Sequence, residues 1–258
     1  MELTGKRIII TGGASGIAAS AVRGLVARGA RIASIDVSTE AGERIVATAN
    51  AAGPGSATFH TASVVDRAGF LAAVEQAVQV MGGLDGLIHA AGVQQYKPAE
   101  DLNDDDWDRV VGINARGTMI ANQNVFAHLK ANGGGSIVNF ASAAGLVGLP
   151  GAPHYSASKG AVLGWTRAVA QAWAEHGITV NAVAPAMWTA MYDATRGRLT
   201  ADELLTHDAM MARAIPLGGK LGDPDNDMTP VLAFLVGDGA RFITGQTLPV
   251  DGGTVMTR

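Results

Sequence analysis

Thr11-Gly12-Gly13-Ala14-Ser15-Gly16-Ile17-Ala18 follows the short apolar run Arg7-Ile-Ile-Ile10 and leads into a helical pattern over 17–28. A strand that breaks into a glycine-rich turn and then opens a helix is suited to holding a pyrophosphate. Glycine lets the backbone bend tightly and come close to the ligand. The helix N-terminus adds unpaired N–H groups and a partial positive charge. Gly12, Ser15, Gly16 and Ile17 are the expected contacts of a dinucleotide. Such turns are common, so the weight falls on context. Asp36 ends the second strand-like run, eighteen residues beyond Ala18, close to where an acid meets the adenosine ribose in this geometry. It can also be read as a surface acid that caps the next helix. A carboxylate there accepts both ribose hydroxyls and repels a 2′-phosphate. Val37 follows it and Ser15 puts no base in the turn, so nothing positive offsets the acid. The expected cofactor is NAD, with NADP less favoured.

Outward from the turn, short apolar runs alternate with longer amphipathic stretches, the pattern of βαβ units and a parallel sheet. The runs lie at Arg7–Thr11, Arg31–Asp36, Ala57–Ala62, Gly86–Ala90, Ser136–Phe140, Ile178–Val183 and Gln246–Val250. Helical patterns fill 17–28, 39–52, 66–81, 104–128, 155–176 and 226–236. Several strands are apolar nearly throughout, as strands covered on both faces should be. No internal repeat, charge block or low-complexity linker interrupts the series. One α/β domain over 1–258 is expected. The segment 186–216 breaks the rhythm with Met187, Trp188, Met191, Tyr192, Met210 and Met211. It reads as a substrate lid or as a helical pair whose methionines fill core gaps.

Of the 258 residues, 48% are apolar, 16% are charged and 34 are glycine, which suits a compact core with many tight turns and argues against disorder. A net charge of −4 gives no reason to expect nucleic acid or an anionic membrane as partner. Without cysteine there are no disulfides, thiolate nucleophiles or cysteine zinc sites, and no metal is expected. No cleavable signal and no membrane-length apolar run is read, so the cytoplasm is the expected location.

Tyr155-Ser-Ala-Ser-Lys159 places a phenol and an ammonium one helical turn apart. Tyrosine titrates near pH 10, and a fixed positive charge beside it favours the phenolate. Tyr155 is thus a candidate general acid/base, exchanging a proton with a carbonyl or alcohol oxygen while a nicotinamide exchanges hydride. Ser142, after the fifth strand, would hold the substrate oxygen. Asn114, within Gly-Ile-Asn114-Ala-Arg-Gly117, could hold a water in line with Lys159. Each has a plainer reading: a surface Tyr/Lys pair, a turn serine near Gly145, an asparagine bonding within its own helix.

The chain resembles the short-chain dehydrogenase/reductase family in its compact form, essentially end to end. The likeness rests on the Thr11–Ala18 turn, Ala90-Ala91-Gly92, Asn114, Ser142, Tyr155-x-x-x-Lys159, Pro185 and the closing Gly245-Gln-x-x-x-Val-Asp-Gly-Gly253. The resemblance implies a doubly wound, Rossmann-like seven-stranded sheet with helices on both faces, a nicotinamide cofactor, and an Asn114–Ser142–Tyr155–Lys159 tetrad. It also implies that Lys159 bonds the nicotinamide ribose, that Val64 neighbours the adenine, and that Ala91, Gly92, Pro185, Trp188 and Thr189 approach the cofactor. Departures stand at Ala18 for a glycine, His89-Ala90 for an Asn-Asn pair that braces central strands, Ser63 for an aspartate, and Ala186 for a glycine.

Gly160, Gly164, Ala168 and Ala172 form a small-residue stripe that could pack on this chain's own sheet or on a second subunit. Family members imply a homotetramer or homodimer. Expected pocket residues are Gln94, Gln95, Tyr96, Ala144, Leu146, His154, Met187 and Met191. His154 is read as a substrate contact or a solvated loop residue. The balance suggests a small, moderately apolar secondary alcohol or ketone. The alternative function is a catalytically silent NAD(H)-sensing protein of the same fold. Nucleotide-sugar epimerases use the same pair but resemble longer chains.

Overall fold

Strands β1 (Arg7–Thr11) and β2 (Arg31–Asp36) occupy the residues the apolar runs predict, in a computed structural model that describes residues 3–256 apart from the Met191 side chain. With β3 (Ser56–Thr61), β4 (Gly86–His89), β5 (Gly135–Phe140), β6 (Ile178–Pro185) and β7 (Thr247–Val250) they form one seven-stranded sheet. Every pairing is parallel, in the order β3-β2-β1-β4-β5-β6-β7. The winding therefore reverses between β1 and β4, which opens a crevice at their carboxyl ends.

Alternation along the strands feeds two cores. Ile8, Ile10, Ile32, Ile88 and Val138 pack with α1 (Gly16–Val26), α2 (Thr39–Ala52) and α10 (Thr229–Val236). Ile9, Ala33, Ile35, Leu87 and Ile137 pack on the other face with α3 (Arg67–Met81), α5 (Gly117–Ala131) and α7 (Pro153–Trp173). Both faces are covered, so the strands need not be amphipathic.

Three departures matter for the site. The stretch 104–128 is not one helix: α4 (Asp104–Val111) gives way to a π turn (Gly112–Arg116) before α5 begins. A short helix, α6 (Ala143–Val147), follows β5 and is capped by Ser142. The segment after β6 forms α8 (Ala190–Arg196) and α9 (Ala201–Ala214). Its base is pinned where Trp188 N–H donates to the Gly222 carbonyl at 2.7 Å and Gly222 N–H to the Ala186 carbonyl at 3.1 Å. Met187 is buried in the core, whereas Met210 is exposed, so the gap-filling reading of the methionines fits the first and not the second.

Candidate active site

The crevice between β1 and β4 opens into a groove of about 500 Å³. Gly12 has φ of +76°, and a Cβ there would lie 2.9 Å from the Ala91 nitrogen, so only glycine lets this turn pass the exit of β4. Ser15, the N-cap of α1, makes no side-chain cap, and Ser15, Gly16 and Ile17 line the groove. The first N–H groups of α1 are therefore free for an anion. Asp36 sits at the groove's rim, where its carboxylate accepts from Ala14 N–H at 3.1 Å and Ser38 N–H at 3.0 Å. Val64 is pressed into place by the start of α5, since a Cβ on Gly117 would meet its Cγ2 at 2.9 Å.

Nine expected cofactor residues line this groove: Gly12, Ser15, Gly16, Ile17, Asp36, Val64, Ala91, Gly92 and Thr189. Ile113 and Phe140 line it too and were not anticipated. Ile113 reaches it from the π turn, and nothing in the local pattern signals that turn. Trp188 is placed elsewhere. Its indole N–H donates to Asp193 at 2.7 Å, its ring meets Tyr192 edge-on at 4.9 Å, and the Arg196 guanidinium covers it at 5.0 Å. Its side-chain partners are all in α8.

The four polar residues expected to act together are held as follows. Tyr155 and Lys159 lie in the first turns of α7. The Lys159 ammonium lies 5.8 Å from the Tyr155 ring centre and donates to the Phe140 carbonyl at 2.7 Å. Ser142 accepts the Ala144 N–H at 3.1 Å and stands close enough to the Tyr155 phenol to favour its ionised form, so it is both a helix cap and a neighbour of the phenol. Asn114 does not bond within its helix through its side chain. Its amide oxygen accepts Val93 N–H at 2.8 Å, and its amide nitrogen donates to the Val93 carbonyl at 2.9 Å and to Ser158 Oγ at 3.0 Å. It clamps the loop after β4 to α7. The π turn supplies the local irregularity that lets it reach.

Electrostatics separate the pair. Burial pulls the Lys159 ammonium down to about 8. Burial pushes the Tyr155 phenol up; the bond to Ser142 pulls it partly back, and Tyr96 raises it further. The net shift is upward, opposite to the expected lowering, because burial of the phenol is the largest influence on it. His89, buried beside the site, is drawn to about 3 by burial and by Lys159, so it is neutral. The expected loss of a brace at His89-Ala90 is made good: Thr11 Oγ1 and His89 Nδ1 lie 2.9 Å apart and join β1 to β4, and Ala91 N–H donates to the same hydroxyl.

The expected substrate residues divide. Gln95 turns away, donating to Asp106 at 2.7 Å. His154 is fully buried, and neither ring nitrogen has a hydrogen-bond partner, so the solvated reading does not hold. Met187 is buried, and the Met191 side chain lies outside the described residues. Gln94 is half-buried on the loop after β4. Of the small-residue stripe, Gly160 faces α6 of its own chain, near the Gly145 carbonyl, while Gly164, Ala168 and Ala172 are uncovered or exposed. Among the described residues no cluster of metal-ligating side chains occurs, and no helix is long and apolar enough to cross a membrane.

The short chain dehydrogenase profile matches residues 6–198. The chain is 35% identical to 2-(S)-hydroxypropyl-CoM dehydrogenase 3 of Xanthobacter autotrophicus, covering 98% of this chain and 97% of that one. It is also 35% identical to 2,5-dichloro-2,5-cyclohexadiene-1,4-diol dehydrogenase of Sphingobium indicum, covering 98% of each. The structure of an NAD+-bound xylitol dehydrogenase superimposes with a TM-score of 0.90 at 29% identity, covering 98% of this chain and 100% of that one.

Proposed function

Because this chain belongs to the short chain dehydrogenase family, we propose that it is an NAD-preferring oxidoreductase interconverting a small, moderately apolar secondary alcohol and its ketone. The observation that carries this reading is the buried Lys159 ammonium, 5.8 Å from the Tyr155 ring and bonded to the carbonyl of Phe140, a residue that lines the same groove as Asp36. The uncapped start of α1 and the glycine cradle at Gly12 fit a pyrophosphate. Asp36 would take the adenosine ribose and Val64 the adenine. Ala91, Gly92, Pro185 and Thr189 would flank the remainder, and Lys159 would bond the nicotinamide ribose. Bound there, the nicotinamide would supply hydride to the carbonyl carbon or take it from the carbinol carbon.

The chain's own residues handle the oxygen and its proton. Ser142 holds the substrate oxygen by hydrogen bond. Tyr155 donates its proton to that oxygen in reduction and removes it in oxidation. Lys159 supplies fixed positive charge near the phenol. Asn114 sets the position of Val93 and, through Ser158, of the turn carrying Tyr155. The segment 186–216 would close over the substrate, and the uncovered stripe on α7 would join subunits of a homodimer or homotetramer in the cytoplasm. A silent NAD(H) sensor would have no use for the buried cation and phenol. The test is absorbance of reduced nicotinamide with NAD and a panel of secondary alcohols, on wild type and Tyr155→Phe. Turnover by the wild type and its loss in the variant is expected; unchanged turnover in the variant overturns the mechanism.

A further inference from the structure

Beneath the site lies a cluster of buried polar side chains that the mechanism does not use. Asn139, the residue before Phe140 in β5, points to the same face of the sheet as Ile137, toward α5 and α7. Its amide pairs reciprocally with that of Asn122 in α5. Asn122 Nδ2 donates to Asn139 Oδ1 at 2.8 Å, and Asn139 Nδ2 donates to Asn122 Oδ1 at 3.0 Å. Asn139 Nδ2 also donates to Thr166 Oγ1 of α7 at 3.0 Å, and the Trp165 indole N–H donates to Asn122 Oδ1 at 2.9 Å. Asn122, Asn139 and Thr166 are all fully buried.

The three elements joined in this way are those that carry the site. β5 ends in Phe140, whose carbonyl takes the Lys159 ammonium, and leads to Ser142. α5 continues from the π turn that holds Asn114. α7 carries Tyr155 and Lys159, and Thr166 lies on the same side of it, since positions seven or eleven apart differ by only about 20° around a helix. α6 limits how close α7 can come, because a Cβ on Gly145 would fall 2.6 Å from the Lys159 carbonyl carbon. The bonds of Asn139, about 10 Å further along α7, fix its slide and its turn relative to β5. Apolar side chains would fill the same space with less desolvation cost. Direction is what the amides add.

We propose that Asn139 is a positioning residue for the reaction, its bonds to Asn122 and Thr166 setting the Phe140 carbonyl, and with it the Lys159 ammonium, against the Tyr155 phenol. This rests on the oxidoreductase reading above. The test uses Thr166→Val, which keeps the shape and removes the hydroxyl, Thr166→Ser, which restores it, and Asn139→Leu. Kinetics with NAD and either cyclohexanol or 2-hexanol are measured well below the Tm of each protein. The expected fall in kcat is about tenfold for Thr166→Val and about 10²-fold for Asn139→Leu, the larger loss needing a displacement of only about 1 Å. KM for NAD should change less than about threefold, since the turns at Gly12 and Asp36 are not joined by these bonds. Thr166→Ser should stay close to wild type. A readout independent of turnover is the phenol titration in the unliganded proteins, each taken against the same protein carrying Tyr155→Phe. Ser142 and Lys159 favour the ionised phenol and Tyr96 opposes it, and the first two depend on the end of β5. The midpoint should therefore rise in Thr166→Val and Asn139→Leu and return in Thr166→Ser. The Thr166 pair decides even where Asn139→Leu does not fold. A Thr166→Val protein with lowered Tm but wild-type kcat and phenol midpoint overturns the proposal, as does a rise in KM for NAD equal to the fall in kcat. If the wild type turns over neither alcohol, the oxidoreductase reading is what fails. The phenol midpoints then still decide whether Asn139 positions the pair.

Discussion

Lys159 donates to the Phe140 carbonyl at 2.7 Å while its ammonium lies 5.8 Å from the centre of the Tyr155 ring. The cation thus has a backbone partner, and among the described residues no ion pair includes it. Its charge is stored in the site uncompensated. Burial disfavours that charge and also disfavours the phenolate it is meant to support, so the two effects work against each other in the protein alone.

The Tyr155 phenol should therefore titrate above its ordinary 10.0 in the unliganded protein. Saturating NAD, whose ring is positive, should bring it down. The check is a spectrophotometric titration of the phenol, taken as the difference between wild type and Tyr155→Phe. Loss of the acid/base group should also lower kcat by about 10²- to 10⁴-fold. A phenol that titrates at the same pH with and without NAD would show that cofactor charge is not what activates it.

Lys159→Met should stabilise the unliganded protein at pH 7 while abolishing its activity. The folded ammonium titrates at about 8 against 10.5 unfolded, so the unfolded chain binds the extra proton between those values. Wild-type stability must then rise with pH across that window, the cost being full below about 8 and gone above 10.5. The cost is on the order of 3 kcal/mol, part of which the lost bond to Phe140 takes back. Denaturant unfolding of both proteins between pH 7 and 10 checks the sign: the advantage of the variant should shrink as pH rises. A constant gap would mean that the ammonium is not paying a desolvation cost.

Local patterns carried the fold and half of the site. Ile8–Ile10, Ile32–Ile35 and Leu87–Ile88 are short, mainly apolar runs, and Thr11–Ala18 and Tyr155–Lys159 each fall within eight residues of chain, so each is visible in a short window. The π turn at Gly112–Arg116 is not, because the Asn114 it carries bonds to Val93 and Ser158, which are remote in sequence. Helix α6 is too short for a periodic pattern to register. The place of the Trp188 side chain is not legible either, because it is held against α8 by Asp193 and Arg196, five and eight residues on. His154 follows from geometry: neighbours on a helix point about 100° apart. With Tyr155 half-buried, the residue before it turns into the protein.

Asn114→Ala should cost stability more than a typical surface change. It strips partners from both the N–H and the carbonyl of Val93. Two partly buried groups left unpaired amount to about 2–4 kcal/mol, or a fall in Tm of roughly 5–10 °C for a chain of this size. Gly92 and Val93 line the groove, so KM for NAD should rise as well. Thermal unfolding and cofactor kinetics on the same variant test both halves; a stable variant with unaltered KM would show that the clamp is dispensable.

Asp36 should decide between the two nicotinamide cofactors. Its oxygens are aligned by Ala14 N–H and Ser38 N–H, so the carboxylate is presented to the groove without a conformational search. The free lone pairs can accept the two ribose hydroxyls of NAD, and the charge opposes a 2′-phosphate at the same place. Val37 beside it is exposed and offers no countercharge. Wild type should then prefer NAD in kcat/KM. Asp36→Ala should lower kcat/KM for NAD by about 10- to 100-fold, the range of one or two charge-assisted hydrogen bonds, and raise it for NADP. Asp36→Asn keeps an acceptor for one N–H and should fall between, which separates lost charge from lost turn geometry. Adding Val37→Arg to Asp36→Ala should push the ratio further toward NADP by pairing the phosphate. Wild type using NADP as well as NAD, or a ratio that Asp36→Ala leaves unmoved, would remove Asp36 from the selection.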